Sequence, residues 1–371
     1  MAQWIDSDDL LNHAVNMMGK GSTLAVDTEF IRTNTFYPKL ALIQISDGNE
    51  FWLVDVPAIN NFSSLKQLLE SHSITTIFHA CAEDLEVLEH ALNIVPSNIF
   101  DTQIAAGIVN RGFSMGYARL VEQVFDLELD KHATRSDWLA RPLTEQQVAY
   151  AKEDVAYLHK LYDLLSGELV DQERGEWFIE ECAAALEAAS ARKESDDYFR
   201  RVKGAWRLNT QSLTVLKCLC QWREEKARLK DRPRGHVVKD TVLLEISKRL
   251  PLSIRQLSDI GDLYSGQIRR YGTEIIDLIE STDADSSIAS LPKPLNSVQN
   301  DLFKAMRSNL NLVAEAEKIP KEFLANKKEL EAIARMSVEG CFKLPHRLSH
   351  GWRAKFVKPL LARVINSGDE I

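Results

Sequence analysis

Thr144 divides this chain into two kinds of pattern. Before it, short apolar and β-branched runs alternate with helix-spaced residues; after it, apolar residues recur only at helical intervals. Residues 23–30, 40–46 and 50–56 read as strands, with the turn Asp47-Gly48-Asn49 between the last two, and so predict an antiparallel meander. Helical spacing at Leu65, Leu68 and Leu69 then leads to a strand over 75–79. A helix through Leu85, Val87, Leu88 and Leu92 and a short strand near 99–101 follow. Strands alternating with helices after a meander predict a mixed sheet with flanking helices, an α/β domain. From Thr144, with Gln147 three residues on as a helix-start box, Val148, Val155, Leu158, Leu161 and Leu165 keep helical spacing.

A chain of 371 residues suits two or three domains. The α/β pattern fills residues 1–170, and 171–205 reads as a helical connector. Residues 206–281 form an all-helical unit broken by Asp231-Arg232-Pro233-Arg234-Gly235 and by Pro251. Residues 282–294 (TDADSSIASLPKP) are rich in Ser, Asp and Pro and read as a linker. A further helical unit of similar length spans 295–371. No run of eighteen apolar residues is present, so no membrane partner is expected. The acidic start lacks the basic-then-apolar order of a signal peptide, and the protein is expected in the cytoplasm. Five scattered cysteines (Cys81, Cys182, Cys218, Cys220, Cys341), with no C-x-x-C pair, read as reduced thiols.

The net charge of −9 is unevenly spread. Residues 1–165 hold 11 Lys+Arg against 23 Asp+Glu, whereas 206–280 hold 14 against 10 and 281–371 hold 14 against 11. An acidic front repels a polyanion unless some of its carboxylates carry divalent cations.

In Thr23-Leu24-Ala25-Val26-Asp27-Thr28-Glu29-Phe30, strand alternation puts Asp27 and Glu29 on one face and Leu24, Val26 and Phe30 on the other. Neighbouring carboxylates repel, and hard divalent ions are bound by a few carboxylates together with phosphate oxygens. An isolated D-x-E is more often a solvated strand face. Two further clusters accompany it. Glu83 and Asp84 follow a strand end, and Tyr150 and Asp154 stand four apart on one helix face.

In that order these motifs resemble the DEDD exonucleases, and within them the ribonuclease D family. DTEFIRTNTFYPKLALIQIS, FHACAEDLEVL, IFDTQIAA and SDWLARPLTEQQVAYAKEDVAYL carry the resemblance over residues 22–165. It implies an RNase H-like exonuclease domain that hydrolyses RNA from its 3′ end to nucleoside 5′-monophosphates. It also implies Asp27, Glu29, Asp84 and Asp154 as acids around two divalent ions, Mg²⁺ or Mn²⁺. Tyr150 lies four before Asp154, and Ala149 stands where the histidine subclass has its His, so the chain groups with the tyrosine subclass. In that scheme Tyr150 orients the attacking water, and accepts its proton if the metals lower its pKa. Residues 206–280 resemble the HRDC domain (LNTQSLTVLKCLCQWREEKARLKDRPRGHVVKDTVLLEISKRLPLSIRQLSDI, then RRYG), and 295–371 resemble a degenerate second copy.

The expected partner is RNA, tRNA precursors and other small structured RNAs in particular, with no obligate protein partner implied. Candidate substrate contacts are Phe30, His79, Trp138, Arg141, Arg232 and Arg234. Trp138 either stacks on a base or packs a loop onto the sheet, Arg141 either holds a phosphate or shapes the entry to the helix of Asp154, and His79 is either a contact or structural. Arg228, Lys230, Arg232, Arg234 and Lys239 surround a proline-containing loop that suits phosphates or is simply solvated. Asp101 reads as a helix cap or a substrate residue. The alternative functions are a DNA-directed 3′→5′ exonuclease and an inactive RNase H-like adaptor that binds nucleic acid.

Overall fold

The structure, a computed structural model, describes residues 2–129, 136–191, 197–285, 288–338 and 344–366. Cys341 and part of the 282–294 linker lie outside the described residues; the other four cysteines are free thiols. No helix among the described residues is long and apolar enough to cross a membrane.

One mixed sheet contains β1 (Ala2–Ile5), β2 (Thr23–Ile31), β3 (Lys39–Ser46), β4 (Phe51–Asp55), β5 (Thr75–Phe78) and β6 (Ile99–Asp101). The strand order is β1-β4-β3-β2-β5-β6. β3 and β4 pair antiparallel with Ile43 opposite Val54, as the meander predicts. β5 runs parallel to β2, with Leu24 opposite Thr76, and β6 parallel to β5. The sequence reading passed over β1, which pairs parallel with β4; four residues are too few to reveal a period.

Flanking the sheet are α1 (Asp8–Met18), α2 (Ser63–Leu69), α3 (Ala82–Leu92), α4 (Thr102–Ile108), α5 (Tyr117–Phe125), α6 (Glu145–Ala156), α7 (Leu158–Asp171) and α8 (Gly175–Ala191). β2 is an interior strand, and Leu24, Ala25 and Val26 are fully buried, as expected where a sheet is covered on both faces. Because β2 and β5 are parallel, their carboxyl ends lie at one edge of the sheet, where α/β folds commonly build sites. The box that starts α6 is formed: Thr144 accepts from the Gln147 amide at 3.2 Å, and the Gln147 side chain accepts from the Thr144 amide at 3.0 Å.

The chain divides into two compact units. One comprises Arg32–Lys39 with Ala191–Pro294, and the other comprises the remainder, Leu295–Ile371 included. The smaller unit holds α9 (Thr210–Leu229), α10 (Arg234–Val237), α11 (Asp240–Arg249), α12 (Ile254–Ser258) and α13 (Ser265–Ser281). Its core joins Leu216, Leu219, Leu243, Ile246, Leu257 and Ile275. Arg223, 1% exposed, pairs there with Asp240 at 2.6 Å and donates to the Val238 carbonyl at 2.8 Å.

The C-terminal segment repeats the same order of helices: α14 (Ser297–Ala316), α15 (Lys321–Leu324), α16 (Lys327–Val338), α17 (His346–Ser349) and α18 (Ala354–Asn366). The first helix of each set has 20 residues and the second has 4. The segment does not keep a core of its own. Met306, Leu310, Ile333, Leu348 and Val357 share one core with Leu161, Leu165, Trp177 and Phe178 of the sheet domain. Trp352 stacks on Trp177 with ring centroids 4.5 Å apart. Arg174 donates to the carbonyls of Ile108 at 2.5 Å, Glu317 at 2.5 Å and Lys318 at 3.1 Å.

Arg353 secures the same junction. It is 1% exposed, donates to the Phe323 carbonyl at 2.5 Å and pairs with Glu181 and Glu180 of α8. Arg353→Met keeps the aliphatic stem but removes the buried positive charge. Among the described residues this leaves the Phe323 carbonyl only Arg347, and Glu180 and Glu181 only Trp352, as donors. Breaking such a buried pair costs about 3 kcal/mol, so urea unfolding of the variant should show a clearly lower midpoint. An unchanged midpoint would contradict this role.

Candidate active site

Asp27, Glu29 and Asp154 each offer a carboxylate oxygen, and those oxygens lie within 4.8 Å of one another. Two local structures produce this. β2 carries Asp27 and Glu29 two apart, and α6 presents Asp154 one turn after Tyr150. Asp84, the third residue of α3, is 7% exposed and accepts from the Thr28 hydroxyl at 2.6 Å. It stands outside the tight trio, yet it is the foremost charge pushing up the pKa of Asp27.

Burial is the first cause of every shift in the cluster, and mutual repulsion adds to it. Asp27 is raised well above the usual range by burial, then by Asp84, Asp154 and Glu29. Burial, Asp154 and Asp84 push Glu29 up to about 8. Burial and Glu153 lift Asp154 to about 7, and burial lifts Asp84 to about 6 against the Thr28 hydrogen bond. The charges acting on these acids are other acids. Hard oxygen ligands without a compensating cation suit a divalent ion. Tyr150 is also raised, by burial and then by Asp154, Glu29 and Asp27. In the metal-free chain it is a neutral phenol hydrogen-bonded to Asp154. A neutral phenol at this position is a donor that can orient water.

The turn after β5 is shaped by a residue whose role the sequence left open. Asp101 caps α4, accepting from Gln103 at 2.8 Å and Ile104 at 3.2 Å. The same carboxylate accepts from the amides of Ala80 at 3.1 Å and Cys81 at 2.8 Å, where Ala80 takes the left-handed φ of 63°. It thus holds the turn from which α3 brings in Asp84. Thr28 was missed as the partner of Asp84. Its only sequence signal was its place between the two acids of β2.

Several candidate substrate contacts have internal partners. His79 is half-buried, with Nδ1 2.8 Å from the Thr102 hydroxyl and Nε2 2.9 Å from the Met115 carbonyl. Both ring nitrogens are engaged, so it is structural. Trp138 is 2% exposed behind Tyr150, with ring centroids 6.0 Å apart, and has no face for a base. Arg141 pairs with Asp55 at 2.5 Å and donates to the carbonyls of Trp138, Ala140 and Ala41, which leaves no free edge for a phosphate. Arg141 also lines a cleft of about 590 Å³ with Trp4, Asp55, Pro142, Leu143 and Val148; none of the clustered acids lines it.

In the helical unit, Arg234 and Arg228 bind Glu224 and cover the ring of Phe36. Lys230 bonds the Tyr271 hydroxyl at 3.0 Å. Arg234 is therefore a clamp within its unit, while Arg232 and Lys239 are exposed. Phe30 is half-buried against the core beside Glu29.

Comparison with known proteins agrees with this architecture. A 3′-5′ exonuclease family model matches residues 2–170, and an HRDC domain model matches residues 212–279. The chain is 38% identical to ribonuclease D of Pseudomonas paraeruginosa over 98% of each chain, and 34% identical to that of Escherichia coli over 98% of each. The crystal structure of Escherichia coli RNase D, described as an exoribonuclease involved in structured RNA processing, superposes with a TM-score of 0.87. It shares 33% identity and covers 99% of both chains.

Glu29 links the site to stability. Its folded pKa of about 8 lies above the ordinary value of 4.5. The folded chain therefore holds this proton more tightly than the unfolded chain. That contribution is complete below about pH 4.5 and is lost as pH rises towards about 8. In metal-free protein, the Tm advantage of Glu29→Gln over wild type should grow between about pH 5 and pH 8. A difference that does not vary with pH would refute the coupling.

Proposed function

The chain belongs to the ribonuclease D family, and from that premise we propose how its residues carry out 3′→5′ exoribonucleolysis. As a member, it is a hydrolase that removes nucleotides from the 3′ end of RNA. The observation that carries the site assignment is the convergence of the Asp27, Glu29 and Asp154 oxygens within 4.8 Å.

Asp27, Glu29 and Asp154 hold divalent metal, with Asp84 contributing from beside Asp27; two ions per site, Mg²⁺ or Mn²⁺, suit four hard carboxylates. When bound, divalent cations activate water and stabilise the attacking and leaving oxygens of an in-line displacement. Asp27 and Glu29 sit on an interior strand, so the fold sets their spacing. Thr28 fixes the rotamer of Asp84. Tyr150 directs its hydroxyl to Asp154 and orients the attacking water, while Trp138 backs its ring. Phe30, next along β2 and half-buried against the core, is kept as a candidate contact for the terminal nucleotide.

We take residues 1–170 as the nuclease, 171–205 as connector, 206–281 as the HRDC domain, 282–294 as linker and 295–371 as its degenerate copy. Structured RNAs, tRNA precursors foremost, are the proposed substrates, in keeping with the description of the Escherichia coli relative. Four free thiols and an RNA substrate suit the cytoplasm.

Asp27→Asn and Asp154→Asn should each lower hydrolysis of a labelled RNA at least about 1,000-fold with the fold intact. EDTA should silence the wild type, and excess Mg²⁺ or Mn²⁺ should restore it. Tyr150→Phe should be slower by about 100-fold yet retain metal binding; wild-type turnover at saturating metal would remove Tyr150 from the mechanism. Persistent activity in metal-stripped enzyme would defeat the metal assignment itself, and equal turnover of matched DNA would favour a DNA-directed enzyme.

The exposed Arg232 gives a test of RNA grip. A cation that neutralises one phosphate of a single strand adds about 0.7 to the salt slope of binding. Arg232→Ala should weaken binding of a tRNA-sized substrate and flatten its salt dependence by that amount, while a dinucleotide is cut as before. An unchanged slope would remove Arg232 from the interface.

A further inference from the structure

Between α6 and α7 a side chain stands inside the backbone hydrogen-bond ladder. In a continuous helix the Tyr157 amide would donate to the Glu153 carbonyl, four residues back. Here the Tyr157 amide donates to the Tyr117 hydroxyl at 3.1 Å, and that hydroxyl donates to the Glu153 carbonyl at 2.9 Å. α6 ends at Ala156, Tyr157 adopts φ −109° and ψ 0°, and α7 begins at Leu158. A group inserted into the ladder is a known cause of a break of this kind. The peptide it grips joins Glu153 to Asp154.

The wedge is itself held from the sheet side. Tyr117 is the first residue of α5. Two residues before it, the Met115 carbonyl accepts from His79 Nε2 at 2.9 Å and from Gln103 Nε2 at 3.0 Å. The His79 ring meets the Tyr117 ring edge-on, with centroids 5.6 Å apart. His79 follows directly on β5, which is paired with β2. A continuous set of contacts therefore runs from the strand beside Asp27 and Glu29 to the peptide of Asp154. It accounts for a half-buried histidine and a half-buried tyrosine that the hydrolytic chemistry leaves unused.

We propose that Tyr117 is a positioning residue for the active site: its hydroxyl, held between the Glu153 carbonyl and the Tyr157 amide, sets the α6–α7 break and so places Asp154 against Asp27 and Glu29. Without the hydroxyl, the amide and carbonyl would close on each other, the joint would straighten, and the carboxylate trio would spread. The inference rests on the reading of that trio as the metal site.

The test uses full-length wild type, Tyr117→Phe and Asp154→Asn, with Mn²⁺ binding measured by calorimetry on each apoprotein. Replacing a residue that orients a metal ligand typically weakens affinity by roughly 10-fold to 100-fold, and Tyr117→Phe should fall in that range. At limiting Mn²⁺ its kcat on a short RNA should drop in proportion, excess Mn²⁺ should recover much of it, and KM for RNA should stay at the wild-type value. Wild-type Mn²⁺ affinity in Tyr117→Phe, whatever its Tm, overturns the proposal. Absence of Mn²⁺ binding by folded wild type would instead defeat the metal-site reading. If Tyr117→Phe does not fold, hydrogen exchange of the wild-type Tyr157 amide decides: protection equal to the interior of α6 supports the wedge, and free exchange overturns it.

Discussion

Asp27, Glu29, Asp84 and Asp154 crowd one another under partial burial, and the sheet domain is arranged to hold them together against that repulsion. Left to themselves these groups would separate or take up protons. Separation is resisted by placing two of them on an interior strand whose preceding residues Leu24, Ala25 and Val26 are fully buried. The other two arrive on helices whose starts or ends are tied down. Asp101 holds the turn before α3, Thr28 holds Asp84, and the capping box of Thr144 with Gln147 fixes the start of α6. The raised pKa values follow from burial and mutual repulsion of the acids, for which a divalent cation is the natural complement.

The two helical sets show how one layout serves different ends. Both reverse the chain at a left-handed residue just before a proline-led short helix, Asp231 at φ 44° and Lys318 at φ 49°. In the first set the residue before the proline is the exposed Arg232. In the second it is Ile319, 3% exposed, and Phe323 further on meets Phe113 edge-on at 5.4 Å. An exposed arginine at this turn in the first set corresponds to a buried isoleucine in the second, where the turn packs into the core of the sheet domain. Arg174 completes that contact by capping carbonyls from both sides.

Much of the site was legible because its logic is local. The D-x-E of β2 follows strand alternation, Tyr150 and Asp154 follow helix periodicity, and the Thr144 box is a four-residue motif. The helical class of the back half was legible for the same reason. His79, Trp138, Arg141 and Arg234 were harder to place, because a charged or aromatic residue in a sequence carries no label for its partner. Arg141 finds Asp55, 86 residues away, and Arg234 finds Glu224 on the preceding helix. A guanidinium with all its donors satisfied inside the chain looks, as a letter, the same as one awaiting a phosphate.

By itself the sequence determined the alternation of strands and helices and the acids that share a face, since periods of two and of 3.6 residues dictate which side chains lie together. Its motifs carried the resemblance that implies the tyrosine subclass. Tertiary structure alone decided that Leu295–Ile371 completes the core of the sheet domain instead of standing apart, and that Arg32–Lys39, from between β2 and β3, belongs with the helical unit. It alone decided that a tyrosine from α5 interrupts the joint between α6 and α7. Each of these depends on groups far apart in the chain being desolvated together. The free energy of such a contact depends on which surfaces meet, and no local periodicity encodes that.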